Sequence, residues 1–524
     1  MDIAAPVEIY KLRINELINA EKLLKSKRRR LGWLRFIAFV LMIAIAWKTF
    51  ITAGNYGFIV IAVGLGVLLF LISKDSDNNN EIENNKFLQA INLEELNVLD
   101  NNYRHLYNGA EFNPPVHEYA NDIDLFGNSS LFQFINRGQT DAGKKRLAKN
   151  LLNTLPFEEI IKRQQAIIEL SKELEWRQQL QAYGMKAKVT SRTESLLNAW
   201  LDDKDIHFTL PIWKLIVPLY SFITLLSLVA TIIGYIPLPV FGFLFILYVF
   251  ISGLLLKKSA KAYADLSKII SEVETVQLIV NCIEQKSFSS ILLSKVQSQL
   301  QTGKTNASQQ MLHLKRILNR FDLLLNPIGN LFLNTFVLWG TRQMMALNEW
   351  RKINKDKLHY WFESVAEIEV INSLSSVHFN NPGWVFPVFN SEFFKLKAIN
   401  IGHPLIPVKK RVDNNFETSG SGKINIITGS NMAGKSTFLR TLGTNIILAQ
   451  TGSVVCATEF EMTPVQLVTS MRINDNLAED TSTFYAELKK LKSIIESVRK
   501  HDNIFILLDE ILRGTNSMDR HAGS

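Results

Sequence analysis

The residues INIITGSNMAGKST, at positions 424–437, decide the fold expected for the C-terminal region of this 524-residue chain. Residues 424–428 form a short, mainly apolar run that predicts a strand, and the next residues have the pattern Gly-x-x-x-x-Gly-Lys-Ser of a phosphate-binding loop. The glycines let the backbone approach an anion, and the amides at the following helix N-terminus attract it. The predicted nucleotide-binding residues are Gly429, Ser430, Asn431, Met432, Ala433, Gly434, Lys435, Ser436 and Thr437.

Two residues of this loop have distinct chemical roles. The ammonium of Lys435 is expected to reach the β- and γ-phosphates of ATP. The hydroxyl of Ser436 is expected to ligate Mg²⁺, which neutralises charge on a transferred phosphoryl group. Because the bare pattern also occurs by chance in long chains, its weight depends on the motifs downstream of it.

A second stretch, NIFILLDE at residues 503–510, supports the same chemistry. Its continuous apolar run predicts a strand of the kind buried in a parallel sheet, and two carboxylates end it. Ligand-facing residues belong at the carboxyl ends of such strands. We therefore expect Asp509 to hold Mg²⁺ and Glu510 to be the catalytic residue that orients or deprotonates the attacking water. Seen alone, an Asp-Glu pair is more often an exposed turn.

Through these two motifs, the sequence resembles the MutS family of ABC-type ATPases. GSNMAGKST is similar to the family's GPNMGGKST, with Ser430 in place of a proline and Ala433 in place of a glycine. Further similar stretches are LAQTGSVV at 448–455, Arg472 to Leu477, STFYAE at 482–487, LDEILRGTNSMD at 508–519, and the pair His403-Pro404.

The resemblance implies a homodimer that uses ATP and Mg²⁺. Each ATP would lie between the loop of one chain and the signature segment of the other, so Ser482 and Thr483 would contact the γ-phosphate bound by a partner. Asp519 would belong to a D-loop-like segment. The family's next strand, its γ-phosphate-sensing histidine and its dimerisation region would come after Ser524, so the expectation is either a fragment or an impaired ATPase.

The resemblance extends more loosely toward the N-terminus. Residues 128–184 are similar to the helical core and connector of MutS, and AEIEVINSL at 366–374 is similar to the return helix of that core. MutS reads mismatches with a Phe-x-Glu motif in an N-terminal domain, whereas the literal Phe157-Glu158-Glu159 falls inside the core here. The expected fold is an α/β P-loop (ABC-type) ATPase domain at the C-terminus, preceded by an all-α MutS-like core that carries two transmembrane helical hairpins.

The charged residues and cysteines limit the functional classes. The net charge is +9, but the basic residues are unevenly placed. The run Lys25 to Arg30 precedes a long apolar stretch, and Lys257, Lys258 and Lys261 come after another, which favours membrane flanks over a nucleic-acid patch. Cys282 and Cys456 are too far apart in sequence for a ligand or redox motif, so neither a disulfide framework nor a zinc site is expected.

Four apolar segments approach the ~20 residues that a helix needs to cross a bilayer core. They are Leu31–Phe50, Tyr56–Ser73, and two spans within Leu215–Leu256, which contains no charged side chain and is broken at Gly234–Pro239. The basic flanks of both hairpins fall on one side. We therefore expect a multi-pass protein of the cytoplasmic membrane with four transmembrane helices, whose ATPase domain and termini face the cytoplasm.

Soluble alternatives exist for these apolar segments. The first span could be a cleaved signal peptide, although a second span comes directly after it, and the last two could be a buried hairpin of a soluble core. The apolar stretch Phe321–Trp339 is expected to be a buried cytosolic helix, because residues such as Asp322, Asn326 and Asn334 would need partners in lipid.

The predicted organisation divides the chain into seven regions. A polar stretch at 74–86, KDSDNNNEIENNK, predicts a solvated linker rather than an element. The regions are a basic cytosolic N-terminal helix at 1–30, transmembrane hairpin 1 at 31–73, a linker and connecting helices at 74–127, the first segment of the helical core at 128–210, transmembrane hairpin 2 at 211–256, the second segment of the helical core at 257–385, and the ATPase domain at 386–524.

The expected function is that of a membrane-anchored MutS-like ATPase. Hairpin 2 interrupts the helical core about where MutS extends levers to its DNA clamp, so dimer closure on ATP is expected to act on the membrane, with DNA as a further candidate partner. The alternatives are a membrane-tethered repair or recombination factor that binds mismatched or branched DNA and, less favoured, an ABC-type transporter.

Overall fold

The structure, a computed structural model, describes residues 5–203, 207–302, 305–390, 394–430, 433–471, 483–500 and 503–509. The chain divides into two compact units. The first contains Met1–Leu106, Leu174–Tyr183 and Leu405–Arg411. The second contains Tyr107–Glu173, Gly184–Pro404 and Val412–Ser524.

Helices dominate the described residues. They are α1 Pro6–Ala53, α2 Gly57–Leu99, α3 Leu131–Ile135, α4 Asp141–Leu152, α5 Phe157–Ser171, α6 Leu174–Met185, α7 Ser191–Asp202, α8 Trp213–Ile232, α9 Leu238–Leu266, α10 Ile270–Gln285, α11 Ile291–Leu300, α12 Ala307–Asp322, α13 Pro327–Gly329, α14 Thr335–Val337, α15 Trp339–Asn354, α16 Leu358–Asn380, α17 Lys435–Gln450 and α18 Thr483–Lys500. The strands are β1 Gln301–Thr302, β2 Thr305–Asn306, β3 Val388–Phe389, β4 Lys395–Ile401, β5 Asn414–Ser419, β6 Glu459–Met462, β7 Gln466–Ser470 and β8 Ile504–Leu508.

The first unit is built on a long helical hairpin. α1 and α2 pack along each other and are joined by a 3₁₀ turn at Gly54–Tyr56. A linker was expected at residues 74–86, but these residues lie inside α2. The reason is packing on α1: Asn78 is buried and donates to the Leu24 carbonyl at 3.1 Å, and Asp75 pairs with Arg35 at 3.2 Å. Tertiary contacts override the low helix propensity of Asn and Asp here.

Three helical segments of the described chain have the length and composition needed to cross a membrane: Pro6–Leu99, Trp213–Ile232 and Leu238–Lys257. The first is the α1–α2 hairpin. The other two are α8 and the N-terminal two thirds of α9, which turn on Gly234 at φ +90°. Most of their apolar side chains are exposed. Whether they lie in a membrane stays a prediction, as do the boundaries of the seven regions.

In the second unit, α16 is the centre of the helical core. It is covered by α4, α5, α10 and α11, and nearly every side chain from Ser364 to Val377 is buried. Three of its buried serines, Ser373, Ser375 and Ser376, donate to carbonyls one turn earlier, as Ser373 does to Glu369 at 2.8 Å. The helix therefore buries polar residues without leaving these hydroxyls unpaired.

The stretch Phe321–Trp339, expected to be a single buried helix, is broken and partly exposed. α12 ends at Asp322, and the chain then forms α13, a π-helical turn at Asn330–Asn334, and α14. Pro327 cannot continue a helix, since it has no N–H and its ring clashes with the preceding turn. The Asn326 side chain instead caps the new start, accepting from the amide of Ile328 at 3.0 Å.

The expected α/β P-loop ATPase fold at the C-terminus is wrong. Residues 424–428, predicted as the strand before the loop, form no strand, and Ile424 and Ile426 are 87% and 82% exposed. Their backbone groups lack the ladder partner that defines a strand. The described strands of this region form two separate sheets, a mostly antiparallel one in the order β3-β6-β4-β5 and a parallel pair β7-β8.

Candidate functional site

The predicted phosphate-binding loop leads directly into α17, which begins at Lys435. Gly434 precedes the helix with φ +85°, a backbone conformation that favours glycine. The amide of Ala433 donates to the Ser430 carbonyl at 3.2 Å, and the amide of Phe438 donates to the Gly434 carbonyl at 2.9 Å. The predicted order of loop then helix is confirmed. Asn431 and Met432 lie outside the described residues.

Lys435 folds back over its own loop. Its Nζ donates to the carbonyls of Gly429 at 2.7 Å and Ser430 at 3.0 Å. The side chains of Ser436 and Thr437 lie at the first turn of α17, and both residues are exposed. One ammonium, two hydroxyls and the amides of a helix N-terminus thus meet at one end of α17, and this donor set suits an anion.

The rest of α17 is fixed by close packing. A Cβ at Gly443 would lie 3.0 Å from Ile123 Cγ2, 3.3 Å from Leu507 Cδ1 and 3.6 Å from Leu467 Cδ2, so β7 and β8 approach the helix closely at this residue. Asn445 also holds the helix in place, since its amide donates to the Gly402 carbonyl at 3.0 Å. The loop helix is therefore held against the strand pair.

Asp509 comes directly after β8 as predicted, and its amide donates to the Ser470 carbonyl at 2.9 Å, extending the β7–β8 ladder. The expectation of a continuously buried strand is wrong, because Leu507 is buried while Ile506 and Leu508 are exposed. The strand places Asp509 at its carboxyl end, and Leu507 links that strand to the loop helix.

The other predicted site residues lie outside what the structure describes. These are Glu510, Ser482 and Asp519, together with the side chain of Thr483, whose backbone begins α18. Within the described residues, no cluster of three or more His, Cys, Asp and Glu side chains is placed to hold a metal ion.

Sequence reasoning missed an acidic turn that contacts this site. Asp122 is 1% exposed, and its Oδ2 accepts from Thr469 Oγ1 at 2.6 Å and from Lys490 Nζ at 2.7 Å. Thr469 lies on β7 and Lys490 on α18. The amide of Thr469 also donates to the Glu118 carbonyl at 2.8 Å. No pattern in the sequence relates residues this far apart, so the sequence predicts only a connecting region at this turn.

A neighbouring pair ties the same turn to α17. Arg440 Nη1 lies 3.1 Å from Asp124 Oδ2. His403, singled out in the sequence as a member of a His-Pro pair, lies close enough to both for their charges to act on it. Burial lowers the pKa of His403 to about 4, and the positive charge of Arg440 acts in the same direction. The imidazole is therefore neutral at physiological pH.

The far end of α17 contacts the helical core. Arg163 of α5 donates to the Thr451 carbonyl at 3.5 Å. Gly452 comes next with φ +81°, and a Cβ there would lie 3.1 Å from Arg163 Cβ and 3.2 Å from the Ile160 carbonyl oxygen. The loop helix thus runs from the candidate phosphate site to a direct contact with α5.

Comparison with known proteins gives a match in the same region. Residues 425–523 match the family model for MutS domain V. The chain is 36% identical over 180 residues to the DNA mismatch repair protein MSH3 of Vanderwaltozyma polyspora, covering 33% of this chain and 17% of that one. It is 32% identical over 178 residues to the DNA mismatch repair protein MutS of Persephonella marina (33% and 20%), and 36% identical over 161 residues to that of Pseudothermotoga lettingae (30% and 19%).

These matches are partial. The chain spans about a fifth of the length of the curated relatives it matches. The family match covers residues 425–523, at the C-terminus of a mostly helical chain. It covers the phosphate-binding loop, α17 and β8. Residues 425–523 are thus similar to MutS domain V.

Proposed function

We propose that residues 429–437 bind the phosphates of ATP, and that the chain hydrolyses ATP with the help of Mg²⁺. The observation that carries this proposal is the junction of loop and helix: a left-handed Gly434, a helix that starts at Lys435, and an ammonium folded over the loop carbonyls. The match of this segment to MutS domain V supports it.

The residues present fit a nucleotide phosphate. The first amides of α17 have no acceptor within the helix, and Lys435 adds a full positive charge beside them. Ser436 and Asp509 supply the hydroxyl and carboxylate oxygens that Mg²⁺ prefers. Bound Mg²⁺ would supply charge neutralisation at the transferred phosphoryl group. Glu510 is proposed as the base for the attacking water, because the sequence around it resembles the corresponding MutS motif.

A homodimer belongs to the same proposal. By resemblance, Ser482 and Thr483 of one chain would face the nucleotide held by the loop of another. α18 begins at Thr483 and carries Lys490, which pairs with the buried Asp122. A movement of the signature segment would therefore act on the turn that contacts β7 and α17.

We also propose that the two hairpins anchor the chain in the cytoplasmic membrane, with the ATPase region on the cytoplasmic side. The support is the length, composition and exposed apolar side chains of α1, α2, α8 and α9, together with their basic flanks. Arg163 of α5 contacts Thr451 at the end of α17. Through this contact, a movement of the phosphate-binding loop on dimer closure would be transmitted to α5 and the helical core. Nucleotide-driven closure is thus proposed to act on the membrane helices.

The ATPase proposal is tested with the full chain purified in detergent. Lys435→Met is expected to abolish ATP binding, and Glu510→Gln to retain ATP binding while losing steady-state hydrolysis. Lys423→Met is the matched control, because Lys423 is an exposed lysine shortly before the loop. Wild-type turnover in either site variant would overturn the assignment.

A second candidate function is DNA binding, which is favoured by the names of the relatives, all DNA mismatch repair proteins. It predicts retention on mismatched or branched duplex that ATP modulates and that falls steeply with salt. Equal and ATP-independent binding to every duplex would count against it.

A further inference from the structure

The segment Leu323–Leu338 connects α12 to α15 and packs beside the second hairpin. It carries no charged side chain, and it lies between Asp322 and Arg342. It is too short and too broken to cross a bilayer alone, since α13, a π-turn and α14 succeed one another without a continuous helix. Leu338, at φ +51°, ends it where α15 begins.

Several backbone carbonyls of the segment accept hydrogen bonds from side chains of the hairpin and of α15. Thr224 Oγ1 of α8 donates to the Phe336 carbonyl at 2.7 Å, and Tyr220 Oη donates to the Thr335 carbonyl at 3.0 Å. Arg342 Nε donates to the Val337 carbonyl at 2.9 Å. These donors satisfy carbonyls that the irregular backbone leaves outside a regular helix.

One of its three asparagines is buried against the hairpin. Asn334 is buried, donating to the Ser252 carbonyl of α9 at 3.2 Å and accepting from the amide of Gly340 at 3.3 Å. The Arg342 guanidinium also donates to Ser221 Oγ of α8 at 3.0 Å. Two asparagines that would be costly in lipid are therefore paired, Asn334 with the hairpin and Asn326 with its own backbone.

Apart from Asn326, the outward face of the segment is largely apolar. Its exposed large side chains are Leu323, Leu325, Ile328, Leu331 and Phe332. Beneath this face the segment packs on α9, since the buried Phe336 ring lies 5.9 Å from the Phe245 ring. A bilayer tolerates irregular backbone only where its polar groups are buried against protein and its apolar groups face the lipid. In water, no such arrangement would be needed.

We propose that Leu323–Leu338 is a re-entrant segment that lies among the acyl chains of the cytoplasmic leaflet, beside α8 and α9. This inference rests on the proposed insertion of the second hairpin. Thr224 lies eleven residues after Trp213, or about 16 Å along α8, roughly half of a ~30 Å hydrocarbon core. α12 leads into the segment, α15 follows it, and the two helices pack together. The segment therefore gives the helical core a second attachment to the membrane, besides the hairpin.

The test uses the full chain in phosphatidylcholine–phosphatidylglycerol liposomes, with single cysteines carrying an environment-sensitive fluorophore. Both native cysteines are buried and are replaced by alanine. Ile328→Cys and Phe332→Cys report on the segment, and Phe243→Cys reports on α9. Ile291→Cys, on α11, is the matched soluble control, because Ile291 is 63% exposed against 69% for Ile328. All four side chains are exposed, so labelling opens no core cavity.

Lipid-attached quenchers are expected to quench the labels at 328, 332 and 243 at least threefold more strongly than the label at 291, with aqueous iodide giving the reverse order. If 328 and 332 behave like 291 while 243 is quenched from the lipid, the re-entrant segment is overturned and the hairpin proposal stands. If 243 also responds only to iodide, the membrane proposal itself fails.

Discussion

Arg163 of α5 and Glu367 of α16 form a buried ion pair, with 2.6 Å between Nη2 and Oε1. Arg146 of α4 adds a second cation, its Nε 3.0 Å from Glu367 Oε2. Burial would raise the pKa of Glu367, but the two guanidinium groups outweigh burial and lower it. One carboxylate therefore joins three helices of the core, and through Arg163 it reaches the end of the loop helix.

Glu367→Ala is expected to lower the free energy of unfolding by about 3–5 kcal/mol, because it leaves Arg163 buried without its counter-ion. Glu158→Ala is the control, since Glu158 is exposed and its pair with Lys162 spans 3.7 Å; a change of less than about 1 kcal/mol is expected there. Chemical denaturation followed by circular dichroism measures both. Equal losses in the two variants would contradict a structural role for the pair.

The lowered pKa of His403 makes stability depend on pH. Between about 4, its pKa in the folded chain, and its ordinary 6.5, the unfolded chain binds the proton and the folded chain does not. The free energy of unfolding is therefore expected to fall as the pH falls through this window, by at most about 1.4 kcal/mol per pH unit from this group. Denaturation at a series of pH values measures the slope. His403→Gln should flatten the slope, and an unchanged slope in that variant would contradict a lowered pKa of His403 in the folded chain.

Gly452→Ala is expected to destabilise the chain for two reasons. A left-handed conformation costs an alanine about 1–2 kcal/mol, and contact with Arg163 and the Ile160 carbonyl adds about 1–3 kcal/mol. Gly420→Ala separates these causes, because Gly420 has φ +85° but a Cβ there would meet only Lys423 Cε, at 3.7 Å. If Gly452→Ala lowers the thermal midpoint no more than Gly420→Ala does, the contact of residue 452 with Arg163 contributes nothing to the loss of stability.

Asp122→Ala is expected to loosen α18, since it leaves Lys490 and Thr469 without their shared acceptor. Hydrogen–deuterium exchange of residues 488–500 should become about tenfold faster, which corresponds to a loss of ~1.4 kcal/mol in local stability. Lys492→Ala is the control, because Lys492 is exposed and only reaches Glu496 at 4.0 Å. Unchanged exchange in Asp122→Ala would show that the ion pair does not hold the helix.

Local features were predictable from local sequence. The start of α17 at Lys435 follows from glycine and lysine spacing, and the lengths of the apolar runs predict the hairpin helices of 213–257. The strand expected at 424–428 was not predictable in this way, because a strand exists only when a second strand pairs with it. The linker expected at 74–86 failed for the opposite reason, since α1 supplies a packing surface that composition alone does not reveal.

By itself, the sequence determined the phosphate-binding motif, the placing of Asp509 directly after a strand, and the long apolar runs of the two helical hairpins. Only the tertiary structure decided the partners: Glu367 with Arg163, Asp122 with Lys490, and the broken stretch at 323–338 with α8 and α9. The physical reason is separation along the chain. Propensity and spacing act over a few residues, whereas an ion pair or a donated hydrogen bond depends on which distant side chains the fold brings within about 3 Å.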